Sequence, residues 1–342
     1  MALVWNNIDG KENDIVISSR VRLARNIQDK VMPTLMDKEQ ADEIKNMVFN
    51  SITKSNSAIS HQFKIIDMDS SPPLEKQVLV EKHLISPDLA KSRIGSVILQ
   101  ENEEISIMVN EEDHIRMQCI LPGFQLNQVW SMADKVDDLI EENISFSFDE
   151  RLGYLTACPT NVGTGLRASV MLHLPCIVLT GQINSLMEAI TKVGLTIRGL
   201  YGEGSEFVGD LFQISNQITL GFSEEEIISK LHSVAKETIK RERQIRKYLQ
   251  DYNPLNIEDK IYRSYGTLKY ARSITSEECM KLLSYVRLGI DLGYIEDINI
   301  KVINHLMIHT QAGMLQKRYN KKMNEKERDQ VRSQYIRESL NN

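Results

Sequence analysis

The sequence predicts an α+β chain, on three observations. Charged residues alternate with apolar ones in several short segments that read as strands. Amphipathic stretches of helical period lie between them. After about residue 255 the strand-like alternation stops, and capped helical segments take over.

Residues 14–26, DIVISSRVRLARN, form the first predicted strand, with Ser18, Arg20 and Arg22 on one face and Ile17, Val21 and Leu23 on the other. Two arginines two positions apart on a strand lie roughly 7 Å apart and repel unless an anion sits between them. Arg25 has the other parity and adds positive charge nearby. Residues 37–57 read as an amphipathic helix, Pro72-Pro73 as a loop, and Ser86-Pro87 as a turn or helix start just after His83. Ile105, Ile107 and Val109 alternate as one strand. Ile115, Met117 and Cys119 alternate as another, leaving His114, Arg116 and Gln118 opposite. The corner between them carries Glu111, Glu112 and Asp113: a solvated turn, or a site for a metal ion or a guanidinium.

Residues 128–142 and 182–193 read as helices, and Phe212–Leu220 as a strand. The stretch Cys158–Pro175, CPTNVGTGLRASVMLHLP, is the most informative. Its glycine-bearing loop ends at Arg167, so backbone N–H groups and a fixed positive charge can meet a phosphate. The bland alternative is a tight turn between a strand and a buried helix. In 195–207, LTIRGLYGEGSEF, Arg198 precedes a flexible loop with Glu203. Ser223 and Glu226 make a capping box for a long helix that Pro254 stops, which places a domain boundary near Asp251–Leu255. Beyond it Thr275 with Glu278 caps one helix, residues 299–311 form a second, and Asn324 with Glu327 caps a polar third. On the last, Arg328 and Arg332 share a face beside Asp329, either as a solvated helix or as a clamp for a phosphate-bearing partner.

A net charge of −6, from 41 basic and 47 acidic residues, argues against a nucleic-acid partner. The four cysteines form no C-x-x-C pair and read as reduced cytosolic thiols, with no metal site. No basic and apolar leader and no apolar run near the roughly 20 residues of a membrane span is present, so a cytoplasmic protein without a membrane partner is expected. The P-loop, the protein-kinase motifs and a Rossmann fingerprint are absent. What stands out is a set of arginines, Arg20, Arg22, Arg116, Arg167 and Arg198, each beside a strand end or glycine turn, with Glu112, Glu203 and Cys158. A triphosphate with Mg²⁺ justifies the cations. Carboxylates and a thiolate suit a planar cationic acceptor, a guanidinium, that must be oriented and deprotonated to react.

SSRVRLAR (18–25), NEEDHIR (110–116), CPTNVGTGLRAS (158–169) and RGLYGEGSE (198–206) resemble, in order, the motifs of the phosphagen (guanidino) kinase family. The resemblance covers most of residues 14–250 and implies a catalytic domain over 14–250, a large antiparallel sheet flanked by helices. Residues 255–342 resemble a helical C-terminal domain that serves dimerisation and phosphoarginine sensing in the bacterial branch, whose acceptors are arginine side chains of proteins. Only 17 residues precede Ser18, too few for the helical domain that small-molecule guanidino kinases carry there. Carried over by position, the resemblance implies ATP contacts from Ser18, Ser19, Arg20, Val21, Arg22, His83, Arg116, Arg167, Ala168, Ser169, Val170 and Met171. It adds Arg198, Gly199, Leu200, Tyr201, Gly202 and Glu203. It implies acceptor-arginine contacts and catalysis from Glu112, Cys158 and Glu203, and phosphoarginine binding at Arg328, Asp329 and Arg332, with Ser333 where the family pattern has alanine. ATP and Mg²⁺ follow as cofactors. The implied partners are proteins with exposed arginines, a heat-shock repressor among them, a zinc-binding activator protein, a Clp-type unfoldase and protease, and a second copy in a homodimer. Two alternatives remain: a kinase of free arginine or another guanidino metabolite, and a non-catalytic phosphoarginine-binding adaptor.

Overall fold

The fold is that of a computed structural model, which describes residues 10–54, 60–199 and 208–341. Its centre is an eight-stranded, wholly antiparallel sheet in the order β2-β3-β4-β5-β1-β8-β10-β9. The strands are β1 (Val16–Arg25), β2 (Phe63–Asp67), β3 (Ser96–Gln100), β4 (Ile105–Val109), β5 (Ile115–Pro122), β8 (Leu166–His173), β9 (Leu195–Gly199) and β10 (Leu211–Asn216). A small hairpin, β6 (Phe148–Asp149) and β7 (Gly153–Tyr154), leads into the Cys158 loop.

The alternation read in β1 is real and sets the two faces. Val21 and Leu23 are buried on one side, as are Met117 and Cys119 of β5 and Ala168 and Val170 of β8. Helices α4 (Leu126–Glu141), α6 (Ile183–Lys192) and α7 (Glu224–Tyr252) cover that side. Apolar burial on this scale, at about 25 cal/mol per Å², is the main term holding sheet to helices. The opposite side is the polar one. Helices α1 (Lys38–Thr53), α2 (Pro73–Glu81), α3 (Pro87–Lys91) and α5 (Pro175–Leu179) complete the first part of the chain.

Three expectations are corrected. After the glycine loop the chain enters a strand, β8, and not a helix, because Leu166–His173 is buried on both faces and pairs with β1 and β10. The strand at Phe212 ends at Asn216, whose side chain turns back to bond Ala168 N and Leu166 O. Pro254 ends α7 but also opens α8 (Pro254–Tyr270), since a proline at the first helical position gives up only an N–H that has no helical partner there.

The last part holds α8, α9 (Ser276–Asp291), α10 (Ile300–His309), α11 (Ala312–Tyr319) and α12 (Glu325–Leu340). It shares one apolar core with the first and is also tied to it by buried polar groups. Arg287 of α9 donates to Asn13 O (2.6 Å) and Asp14 O (3.1 Å), just ahead of β1, and to His173 Nδ1 (2.8 Å) at the end of β8. With Nδ1 accepting, His173 Nε2 donates to Ser284 Oγ (2.8 Å), which donates in turn to Asp210 (2.5 Å) at the start of β10. Burial pushes the Asp210 carboxyl up to about 6, against the pull of Ser284.

Candidate active site

The ladder registers bring the predicted cations together on the polar face. Arg22 lies opposite Gln118 of β5 and Arg167 of β8; Arg20 lies opposite Ser169; Arg116 lies opposite Ala24; Arg198 lies opposite Gln213. Arg20 donates to Gln213 Oε1 (2.6 Å), Ser169 Oγ (3.3 Å) and Gln118 Oε1 (3.4 Å). Its pKa is pushed down to about 10, by burial first and then by Arg116 and Arg167. Burial and the same neighbours, with Arg20, hold Arg22 well below its ordinary value. Arg167 is lowered by burial, then by Arg198 and Arg116. The Nε atoms of Arg22 and Arg167 are buried without a hydrogen-bond partner. Buried donors left unpaired among mutually repelling cations are costly, and an anion with many acceptor oxygens removes both costs at once. The donor set therefore fits the phosphates of a nucleotide. Mg²⁺ brought with a nucleotide would be held chiefly by those phosphates.

His83 ends the turn after α2 with φ +58°. Burial, then Arg20, pushes its pKa down to about 4, so its ring is neutral near pH 7. Its carbonyl accepts from Gln118 Nε2 (2.8 Å), which links it to the Arg20 cluster. Period two separates the carried-over positions by face. Ser18, Arg20, Arg22, Arg167, Ser169 and Met171 share the polar face. The side chains of Val21, Ala168 and Val170 belong to the core beneath. Ser19 Oγ bonds Gly123 O (2.8 Å) and Gln125 N (2.9 Å) there. Gly199 closes β9. Leu200, Tyr201, Gly202 and Glu203 lie outside the described residues.

The acidic corner divides its labour. Glu111 pairs with Arg116 (2.9 Å) and accepts from Ser86 Oγ. Asp113 is buried and accepts from Asn26 Nδ2 (2.7 Å) and from Ala157 N (2.7 Å), the residue before Cys158. Asp113 is thus the clamp that brings the Glu112 corner to the Cys158 loop, a role the sequence did not disclose. His114 shares this buried corner, bonded by Ile27 N (3.1 Å) and bonded to Val31 O (2.8 Å). Glu112 alone of the three carboxylates is exposed. Partial burial, then the charge of Asp113, raises its pKa.

Cys158 is the one half-buried thiol; Cys119, Cys176 and Cys279 are buried. Burial raises those three, Cys279 to about 11, which leaves them unreactive. Cys158 Sγ lies 3.0 Å from Thr160 Oγ1. The loop behind it is held from two sides. Thr219 Oγ1 donates to Thr160 O (3.0 Å) and Val162 O (2.7 Å), and Arg25 donates to Thr164 O (2.9 Å). Gly163 has φ +112°, and a Cβ there would meet Thr219 O at 2.5 Å. Gly163→Ala is therefore expected to cost about 1–3 kcal/mol. Urea unfolding reads it, and an unchanged midpoint would show that the loop is not fixed this way.

In the C-terminal part, Arg328 is half-buried and donates to Met323 O (2.9 Å). Arg332 is buried and donates to Thr310 O (2.9 Å), Ile274 O (2.8 Å) and Asp329 (2.5 Å). The shared helix face thus holds one accessible guanidinium and one that ties α12 to the ends of its neighbours. Ser333 is buried and bonds back to Gln330 O.

The family described as ATP:guanido phosphotransferase, C-terminal catalytic domain, matches residues 43–245. The one described as protein-arginine kinase McsB C-terminal domain matches residues 254–342. A protein-arginine kinase of Brevibacillus brevis is 51% identical over 337 residues, covering 98% of this chain and 94% of its own. One of Bacillus subtilis is 51% identical over 336 residues, covering 98% and 93%. Among solved structures, lombricine kinase superposes with a TM-score of 0.62 at 24% identity, over 72% of this chain and 71% of that one. The duplicated taurocyamine kinase of Schistosoma mansoni gives 0.60 at 23%, over 73% and 37%. These two likenesses concern the fold.

Proposed function

From the premise that the chain belongs to the ATP:guanido phosphotransferase family and is such an enzyme, we propose that it is a protein arginine kinase, transferring the γ-phosphoryl group of ATP to a guanidino nitrogen of arginine side chains in proteins. The observation that carries this reading is the adjacency of two unlike surfaces. A sheet face of arginines with unpaired buried donors meets, through the Arg116–Glu111 pair, the corner that bears Glu112, and the Asp113–Ala157 bond ties that corner to the Cys158 loop. The first takes phosphates; the second takes a cation.

Phosphoryl transfer asks a protein for positioning and charge neutralisation. Arg20, Arg22, Arg116, Arg167 and Arg198 would hold the phosphate oxygens. When bound, ATP would supply the phosphoryl group and Mg²⁺ would further neutralise the charge on the phosphates. A guanidinium is a poor nucleophile because its lone pairs are delocalised and its pKa exceeds about 12. Glu112 fixes it through a charge-assisted bond and takes the proton released as the N–P bond forms and the bond from the γ-phosphorus to the bridging oxygen breaks, with ADP as the leaving group. Cys158 acts as an electrostatic partner of the guanidinium, and Glu203 as the second carboxylate.

The reading extends to what the family resemblance implies: regulation by phosphoarginine at Arg328, Asp329 and Arg332, a homodimer built on the helical part, and a zinc-binding activator. It extends also to marking heat-shock repressors and damaged proteins for a Clp-type protease in the cytoplasm. No helix among the described residues is long and apolar enough to cross a membrane.

The test is acceptor specificity. The protein is incubated with Mg-ATP and an unfolded arginine-rich protein, then with free arginine, and phosphate is mapped by mass spectrometry at neutral pH, since the P–N bond is acid-labile. Phosphoarginine in the protein and not in the free amino acid is expected. Transfer to free arginine alone would return the chain to the metabolite kinases, and transfer to neither would leave a phosphoarginine-binding adaptor or an enzyme that depends on its activator.

A further inference from the structure

Helix α11 begins against the catalytic part of the chain. Two N–H groups of its first turn, those of Gly313 and Met314, donate to a single carboxylate, Glu81, at 2.7 and 2.9 Å. An anion at a helix N-terminus satisfies donors that have no partner within the helix and meets the positive end of its dipole. Glu81 is the last residue of α2. Two residues on, His83 stands in the left-handed region, and its carbonyl accepts from Gln118, which also bonds Arg20. Between them Lys82 is locked in a buried pair with Glu103 (2.6 Å). The approach is close: a Cβ on Gly313 would meet Gln77 and Glu81 at 2.9 Å. The turn ahead of α11 is itself held, since Thr310 O accepts from Arg332.

These contacts make one bonded chain: Arg332, the α10–α11 turn, α11, Glu81, the His83 turn, Gln118 and Arg20. We infer that Glu81 is a positioning residue for the nucleotide, holding His83 and Gln118 in place by its grip on α11, so that ATP affinity depends on how the C-terminal helices are seated. This rests on the reading that the Arg20 face receives the nucleotide.

Glu81→Ala tests it, with Glu81→Gln as the milder variant, because an amide oxygen still accepts one of the two N–H bonds. Lys317→Ala is the control. It removes the exposed Lys317–Glu75 bridge (2.5 Å) between the same two helices without touching the His83 turn. ATP binding is measured by titration calorimetry on the full chain, and turnover separately. Glu81→Ala is expected to weaken ATP binding and raise its KM by about tenfold with kcat nearly unchanged. Glu81→Gln should fall between, and Lys317→Ala should leave all three near wild type. An unchanged affinity in Glu81→Ala, or equal weakening in Lys317→Ala, would overturn the inference, the latter by showing a general brace between helices. Calorimetry needs no phosphate acceptor. A wild-type protein that binds ATP but phosphorylates free arginine and not protein arginine would therefore sink the proposed function while leaving the Glu81 test intact.

Discussion

Arg25→Ala is expected to lower stability by about 3–5 kcal/mol, since it breaks a buried ion pair from one side only. Arg25 is 2% exposed and gives two bonds to one carboxylate oxygen of Asp137 on α4, from Nε (3.0 Å) and Nη2 (2.7 Å). Burial already holds the Asp137 carboxyl above its usual range, with Arg25 pulling it down, and its second oxygen has no partner. Without Arg25 that carboxylate must take up a proton or remain buried and unpaired. The guanidinium also lies 3.5 Å over the Tyr154 ring and donates to Thr164 O, so the hairpin and the Cys158 loop lose an anchor together. Arg25→Lys keeps the charge but not the fork, and should recover only part of the loss. Urea unfolding of the variants measures it. A change under about 1 kcal/mol in Arg25→Ala would mean that the pair contributes no more than an exposed one.

That residue also shows where the sequence was legible. Period two put Arg20 and Arg22 on one face and Arg25 on the other, and the structure keeps that division. The first two line the polar face; Arg25 is structural. Parity alone could say that Arg25 differed, but not that Asp137, 112 residues away, waits for it on α4. The same limit hid Asp113. Three adjacent carboxylates look alike in a sequence, and only the fold shows Glu111 spent on Arg116, Asp113 spent on Ala157, and Glu112 left facing outward.

Helices with a capping box were readable to within a few residues, because the cap is a local interaction. Ser223 with Glu226 and Asn324 with Glu327 form their reciprocal bonds as expected. β3 went unassigned for the opposite reason. All five of its residues are buried, so it presents an apolar run with no alternation to detect. The order of the strands, with β1 at the centre between β5 and β8, rests on pairings 90 to 156 residues apart in the chain, which no local pattern encodes. It is this order that gathers the arginines.

Glu112→Gln carries the largest expected effect on activity, a fall of about 10²–10⁴ in kcat with ATP binding nearly unchanged. The amide is of similar shape and still offers an oxygen to a guanidinium, but it can neither carry the negative charge nor accept the proton. Glu112 is outside the arginine cluster. The carboxylate that pairs with Arg116 is Glu111, so nothing that holds the phosphates is removed. Because partial burial and Asp113 raise the Glu112 pKa, the wild-type enzyme should lose activity on acidification through a value above the ordinary 4.5. The sign follows from the role: a base works only when ionised, and a raised pKa moves that loss to higher pH. Nucleotide titration and rapid-quench turnover at several pH values separate the two effects. If Glu112→Gln binds ATP poorly and turns over what it binds at the normal rate, Glu112 belongs to the nucleotide site. The proton must then leave by another group, with Glu203 the remaining carboxylate to examine.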